Sequence, residues 1–192
     1  MKKSKLLVVT FMCMLSLFLV TGCASKTTKD EVKKDDTKET SKLKAKCSAL
    51  ECIKKIEPEN TVEEVNEIVG VEGKLTSEEY NIYEYDLGND EKITLKYYSG
   101  TKATIIADYD RDSLADKKVD LSNLQGLKSK VSAGITYDEF KNEIGGSDGT
   151  LIEKSSTSNK YVWVSKKGGY VTGSFRIRDN KCSFFSGYGD SK

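Results

Sequence analysis

The side chains that catalysis or metal binding would need are mostly absent from this chain. It contains no histidine, so a Ser-His-Asp triad, an imidazole base and a Cys/His metal site are all excluded. The glycines of Gly145-Gly146-Ser-Asp-Gly149 follow a predicted helix, whereas a phosphate-binding loop precedes one. We therefore expect no enzyme activity, no cofactor and no catalytic residue.

One run of carboxylates has a spacing that calcium ligands also show. Asp108, Asp110 and Asp112 alternate as they do in a calcium loop. The run lacks the central glycine and the glutamate at the twelfth position that such a loop uses. We favour a solvated connector here and predict no metal site.

The chemistry that the N-terminus does support is lipidation of Cys23. Lys2, Lys3 and Lys5 precede an apolar run, Leu6 to Val20, which is shorter than the ~20 residues of a membrane-spanning helix. The run ends in Leu19-Val-Thr-Gly-Cys23, which resembles the recognition site of the bacterial lipoprotein signal peptidase. That resemblance implies cleavage before Cys23 and a diacylglycerol thioether on its sulfur. An ordinary signal peptide or a membrane anchor is the alternative.

Removal of residues 1–22 leaves 170 of the 192 residues and takes away three lysines, which changes the net charge from +1 to about −2. A chain so close to neutral gives no reason to expect a nucleic-acid partner. Residues 24–41 are almost entirely polar and predict a disordered tether behind the lipidated Cys23.

Three cysteines remain in the mature chain, and an odd number cannot all pair within it. Cys47 and Cys52 are five residues apart on a predicted helix, where their side chains diverge, so a disulfide between them requires the helix to be broken. We therefore expect Cys47, Cys52 and Cys182 to serve as small apolar residues. A disulfide from Cys47 or Cys52 to Cys182 is the alternative in an exported protein.

A stretch that occurs twice organises the rest of the chain. Thr61 to Gly70 returns as Thr136 to Gly145, 75 residues later. Each copy has the Thr-x-x-Glu pattern of a capping box, an apolar helical stripe and a closing glycine. The sequence therefore predicts two tandem units, residues 42–117 and 118–192, each with two helices and an antiparallel meander.

The predicted elements follow the apolar periodicity. The helices are expected over 41–56, 62–69, 121–131 and 137–144, and the strands over 80–87, 93–97, 103–109, 151–153, 161–164, 170–177 and 181–188. Residues 110–118 form a charged connector. Helices that cover one face of each meander give an α+β fold with two layers.

The succession of short helix, break, Thr-capped helix, Tyr-x-Trp and meander resembles the repeat of the beta-lactamase inhibitory protein family. It is also similar to the small single-unit lipoproteins of the BamE/SmpA type. The second unit carries the likeness best, with Gly134-Ile135-Thr136 where the family has Gly-Met-Thr and with Tyr161-Val-Trp163. The resemblance implies one continuous curved sheet, helices on its convex side, and a concave face that grips a protein.

The residues of the predicted binding surface come from the outward positions of two strands. They lie opposite Val171, Phe175 and Ile177 in one strand and opposite Ile93, Leu95 and Tyr97 in the other. Tyrosine and arginine often dominate protein interfaces. The candidates are Lys92, Thr94, Lys96, Tyr98, Tyr170, Thr172, Ser174, Arg176 and Arg178. The alternative is that these are ordinary polar residues of an exposed sheet.

For Tyr83, Tyr85, Tyr161 and Trp163 the alternation does not decide the face, and core packing is favoured for Trp163. The resulting hypothesis is a non-catalytic binding module, lipid-anchored at the extracytoplasmic face of the cell membrane. It would bind an unidentified protein outside the cytoplasm and the bilayer through Cys23. The alternative function is a role in envelope assembly or integrity, and a hydrolase is disfavoured.

Overall fold

The computed structural model describes residues 44–98 and 100–190. The predictions for the signal segment, Cys23 and the tether lie outside these residues. The helices are α1 (Ala49–Lys55), α2 (Val62–Val69), α3 (Leu124–Ser132) and α4 (Tyr137–Glu143). The strands are β1 (Lys74–Ser77), β2 (Ile82–Gly88), β3 (Glu91–Lys96), β4 (Thr104–Ala107), β5 (Ala115–Asp116), β6 (Thr150–Lys154), β7 (Ser158–Ser165), β8 (Tyr170–Arg176) and β9 (Cys182–Tyr188).

The capped helices α2 and α4 form as the two copies of the repeated stretch predict. The Thr61 hydroxyl accepts from the Glu64 amide at 3.2 Å, and the Glu64 carboxylate accepts from the Thr61 amide at 2.9 Å. Thr136 and Glu139 exchange the same pair of hydrogen bonds, at 3.4 and 2.8 Å. Two amides at the start of each helix are thereby satisfied.

Helix α1 is shorter than predicted, because the chain enters it only at Ala49. Cys47 precedes the helix and forms a disulfide with Cys52, with the two Cα atoms 5.5 Å apart. Five residues of helix would separate these atoms by about 7.5 Å along the axis, beyond the reach of a disulfide. The expectation that these cysteines are unpaired was therefore wrong. So was the alternative pairing with Cys182, which is a buried free thiol.

The strands form one open sheet in the order β1-β2-β3-β4-β6-β7-β8-β9, and all of these neighbours are antiparallel. The α+β class is confirmed. Strands β4 and β6 meet through Ile105 opposite Lys154 and Ile106 opposite Glu153. Strand β5 lies off this path and pairs in parallel with the end of β7. Neither β1 nor β5 was predicted.

The core lies between the helices and one face of the sheet, here called the inner face. In the first half of the chain, Ile53 and Val65 from the helices are buried with Ile93 and Leu95 of β3. In the second half, Phe140 of α4 is buried with Trp163, Val171 and Phe175. The preference for core packing of Trp163 is confirmed, and Tyr85 is also fully buried. Ile177 was expected on this face but is 57% exposed, because β8 ends at Arg176.

The connector between the halves packs against the opposite side of the sheet, here called the outer face. Val162 and Val164 of β7 point away from Trp163 and are buried. Tyr109, which precedes the connector, and Leu114 and Ala115 of the connector pack against the cluster that these valines form with Ile152. Strand β7 is therefore covered on both sides. Among residues 44–98 and 100–190, no helix has the length and apolar character that crossing a membrane requires.

Candidate binding face

The outer face carries a row of side chains that crosses the sheet from one edge to the other. The register joins one position in each strand to its neighbour in the next, so these residues lie side by side on one surface. The row is Lys74, Glu84, Thr94, Ile106, Glu153, Lys160, Ser174 and Phe184. One surface thereby combines two lysines, two glutamates, two hydroxyls and two apolar side chains.

The β3 candidates lie together in this row and beside it. Lys92, Thr94 and Lys96 line an open depression that Glu84 and Ile106 share from the neighbouring strands. Lys92 is exposed, while Thr94 and Lys96 are half-buried. Their β3 neighbours Ile93 and Leu95 are buried on the inner face, so the predicted alternation of this strand is confirmed.

Tyr98 does not belong to the same surface as Lys92 and Lys96. Strand β3 ends at Lys96, and Tyr98 lies in the segment that follows it, where it is 64% exposed. The predicted strand end at Tyr97 was one residue too far, while the predicted position of Tyr97 on the same side as Ile93 and Leu95 is confirmed, since Tyr97 is buried with them. Tyr97 turns inward, and its hydroxyl donates to the Asn60 carbonyl at 3.0 Å. Tyr98 is thus a loop residue at the end of the sheet.

Of the β8 candidates, Thr172, Ser174 and Arg176 lie on the outer face. Arg176 is already paired, since its Nε and Nη2 donate to the two Asp179 oxygens at 3.0 and 2.9 Å. These hydrogen bonds hold the pKa of the Asp179 carboxyl below its ordinary value. Arg178 lies in the turn beyond β8, with its side chain 78% exposed and its Nε 3.6 Å from Asp179. The strand was predicted to end at Ile177 and ends one residue earlier, so the alternation that placed Arg178 on the outer face does not extend to it.

Tyr170 is on the outer face but is not free to meet a partner. Its ring packs edge-on against Tyr188, with centroids 4.5 Å apart, and belongs to the apolar cluster of the connector. The Arg111 guanidinium lies over the Tyr170 ring, 5.2 Å from its centroid. Tyr170 therefore holds the connector against the sheet, and its role is structural.

The structure brings the candidates together in two groups rather than one. Strands β3 and β8 are four strand spacings apart in the sheet, about 19 Å at ~4.8 Å per spacing. The residues between them were not predicted: Ile106, Glu153 and Lys160. The Lys160 ammonium lies 2.8 Å from Glu153 and 5.9 Å from the centroid of the exposed Phe184 ring.

The alternation signal failed for these intervening residues for identifiable reasons. Val162 and Val164 make β7 apolar on both faces, which hides the outward position of Lys160. Phe184 and Phe185 are adjacent, so sequence gives no preference for which ring is exposed. Ile106 is apolar although it faces outward. Only the register between strands places these side chains in one row.

The outer face offers non-covalent recognition: ion pairs, hydroxyl hydrogen bonds and aromatic contact. The Asp108 and Asp110 carboxylates accept from amides of their own turn, each at 3.1 Å. Across residues 44–98 and 100–190, no three Cys, Asp or Glu side chains are clustered so that they could hold a metal ion.

Comparison of the chain with protein-family models, curated proteins and solved structures finds no match in any of the three.

Proposed function

We propose that the protein is a non-catalytic binding module, lipid-anchored at Cys23 on the extracytoplasmic side of the membrane, whose outer face recognises a protein partner. The observation that carries this proposal is the row of side chains that crosses all eight strands of the sheet path. The helices cover only the inner face, so most of this row remains accessible.

The dimensions of the outer face suit a protein partner. Eight strands span seven spacings, or about 34 Å at ~4.8 Å each, and a six-residue strand is about 20 Å long. The resulting area is roughly 700 Å² for the whole face, and the connector covers the part over Val162, Val164 and Tyr170. The part left open is smaller than the ~800 Å² that each partner buries in a standard interface and matches the smaller class of protein interfaces. The pockets on this surface are open depressions, which are suited to a side chain of a partner.

The charge of the first half of the face indicates the kind of partner. Lys92 and Lys96 flank Thr94, with neither ammonium within 4.0 Å of a carboxylate among the described residues. Ile106 supplies an apolar side chain beside them. Glu84 and Asp108 line the same depression, so it carries two positive and two negative charges. We infer that an amphipathic surface fits here, with acidic side chains against Lys92 and Lys96 and basic side chains against the two carboxylates.

The tandem organisation belongs to the same proposal. The order of two helices followed by four strands occurs twice along the chain, with the connector and β5 between the copies. Both copies carry a Thr-Glu capping box on the second helix. These features support a duplicated unit of the type found in the beta-lactamase inhibitory protein family, with the curved sheet that this family implies.

The test is capture of the partner from intact cells by the full-length lipoprotein. Lys92→Glu with Lys96→Glu should reduce capture at least about tenfold, because two favourable contacts become repulsive. The matched control is Lys54→Glu with Lys55→Glu, two exposed α1 lysines on the helix side, which should capture normally. Equal capture by both double variants would show that the partner does not bind the outer face through Lys92 and Lys96.

The anchor is tested separately. Metabolic labelling with a radioactive fatty acid should label the wild-type chain and leave Cys23→Ala unlabelled. Label retained in Cys23→Ala would refute the assignment of the anchor. A deletion strain that becomes detergent-sensitive, with no protein captured, would favour the envelope-assembly alternative over a binding module.

A further inference from the structure

Strand β9 forms one edge of the sheet, and its free side carries unpaired backbone groups. Ser165 N–H donates to the Gly169 carbonyl and Ile177 N–H to the Thr157 carbonyl, so odd-numbered β8 residues bond to β7. Antiparallel bonding alternates, so even-numbered β8 residues bond to β9 and the groups of Phe185 and Gly187 point outward. Among residues 44–98 and 100–190, no strand lies beyond β9.

The free part of this edge has a defined beginning. Cys182 N–H donates to the Ile135 carbonyl at 2.8 Å, and Thr136 forms an isolated bridge with Lys181. The loop before α4 therefore closes the edge up to Cys182. Helix α3 packs beside this edge, where Leu124, Gln125 and Lys128 border an open depression with residues 185–187. The stretch without a strand partner runs over residues 183–187, long enough for a short antiparallel ladder.

Strand β9 contains a bulge between Cys182 and Phe184, but it lacks two other devices that prevent edge-to-edge pairing, charge and proline. Charged residues make up 32% of the chain, yet Cys182 to Tyr188 contains none. Natural edge strands are commonly short, charged or proline-containing. The opposite edge follows that rule, since β1 has four residues and begins with Lys74. Strand β9 is longer and exposes Phe184 and Tyr188, at 54% and 47%.

We infer that β9 pairs antiparallel with β9 of a second copy of this chain, with the two-fold axis at Phe185. Each Phe185 donates its N–H to, and accepts at its carbonyl from, the Phe185 of the partner subunit. In a two-fold interface the same strand of each subunit lies antiparallel to the other, so residues of one strand must be compatible with residues of the same strand across the axis. The uncharged β9 meets this condition, because no like charges come to lie opposite each other.

This register determines which side chains meet on the outer face. Phe184 lies opposite Ser186 of the partner subunit, and the two Phe184 side chains lie on the diagonal, about 7–8 Å apart. The two sheets become one, and the two outer faces become contiguous. The dimer would present any ligand of the outer face with two copies of the row.

The experiment measures the mass of the full-length lipoprotein in detergent by light scattering, with the mass of detergent subtracted. The wild-type chain should be a dimer. Phe184→Lys should weaken the dimer at least about tenfold, because it loses apolar contact and places two ammonium groups on the diagonal. The control is Leu75→Lys on the opposite edge strand, where Leu75 is 41% exposed, and this variant should remain dimeric.

A charge-swap mixture distinguishes the proposed register from general damage to the strand. Phe184→Lys and Phe184→Glu should each be monomeric alone and should form a heterodimer when mixed. A photo-crosslinking residue at position 184 should yield a dimer-sized product in cells. A monomeric wild type, no heterodimer in the mixture, or crosslinking only to another protein or within one chain would each overturn the inference.

Discussion

Burial of Trp163 depends on residues whose importance is invisible in the sequence. Its ring centroid lies 4.8 Å from Phe140, and its indole N–H donates to the Ser147 carbonyl at 2.9 Å. A Cβ added to Gly149 would lie 2.6 Å from the indole ring, and one added to Gly173 would lie 2.8 Å from the Phe175 ring. These two glycines are therefore needed for space, although the sequence shows Gly149 only as part of a glycine-rich turn and Gly173 only as a strand residue.

The contribution of this aromatic cluster to the free energy of unfolding can be measured by substituting Phe140. Phe140→Ala should lower the free energy of unfolding by about 3–5 kcal/mol, because a fully buried ring is replaced by a cavity. Trp163 is the only tryptophan in the chain, so its fluorescence reports urea denaturation of this region directly. Phe184→Ala is the control, since its ring is 54% exposed and its loss should cost well under half as much. Equal losses would contradict the assignment of Phe140 to the core.

At the scale of single elements, the best-predicted parts were those with local signals. A capping threonine, a glutamate three residues later and a closing glycine are sufficient to place α2 and α4 within one residue. Strands β1 and β5 were missed because they exist through pairing with β2 and β7, which no local pattern encodes. Alternation likewise placed Lys92, Thr94 and Lys96 correctly, but the row across the sheet depends on register.

The two capping boxes should contribute comparably to stability. Thr61→Ala and Thr136→Ala should each cost about 1 kcal/mol of unfolding free energy, because each leaves a helix amide without its hydroxyl acceptor. Thr101→Ala, at an exposed loop position, should change the stability by less than about 0.5 kcal/mol. Chemical denaturation at neutral pH is the measurement. A cap variant indistinguishable from Thr101→Ala would show that the capping bond is not formed in solution.

The capping glutamates also give the helices a pH dependence. Hydrogen bonds from the Thr61 and Thr136 amides lower the pKa of Glu64 and of Glu139 in the folded chain. Their contribution is therefore complete above the ordinary glutamate pKa of about 4.3 and is lost as the pH falls through the lower folded value. In the double variant Glu64→Gln with Glu139→Gln, the free energy of unfolding should fall less steeply as the pH is lowered. The same slope below pH 4 in variant and wild type would contradict this.

At the scale of the whole molecule, the two halves are joined by more than the connector. Strands β4 and β6 pair at two positions, and Leu151 of β6 packs against the core of the first half. The Lys154 ammonium, also in β6, lies 2.7 Å from the Glu57 carboxylate in the segment after α1. Sequence repetition predicted two units, but it could not show how strongly they are coupled, since the coupling comes from contacts between dissimilar residues.

We expect the β4–β6 pairing, together with the Leu151 and Lys154 contacts, to make unfolding of the described part of the chain a single transition. Unfolding of the first half would remove the β4 pairing of β6 and expose Leu151 to water, so the second half alone would lose part of its stabilisation. Calorimetry should give equal calorimetric and van't Hoff enthalpies. Ile53→Ala, in the first core, should shift the fluorescence midpoint of Trp163 in the second core by the same amount as the circular-dichroism midpoint. Two calorimetric peaks, with Ile53→Ala moving one and Phe140→Ala the other, would show instead that the halves fold independently and that the shared sheet only places them side by side.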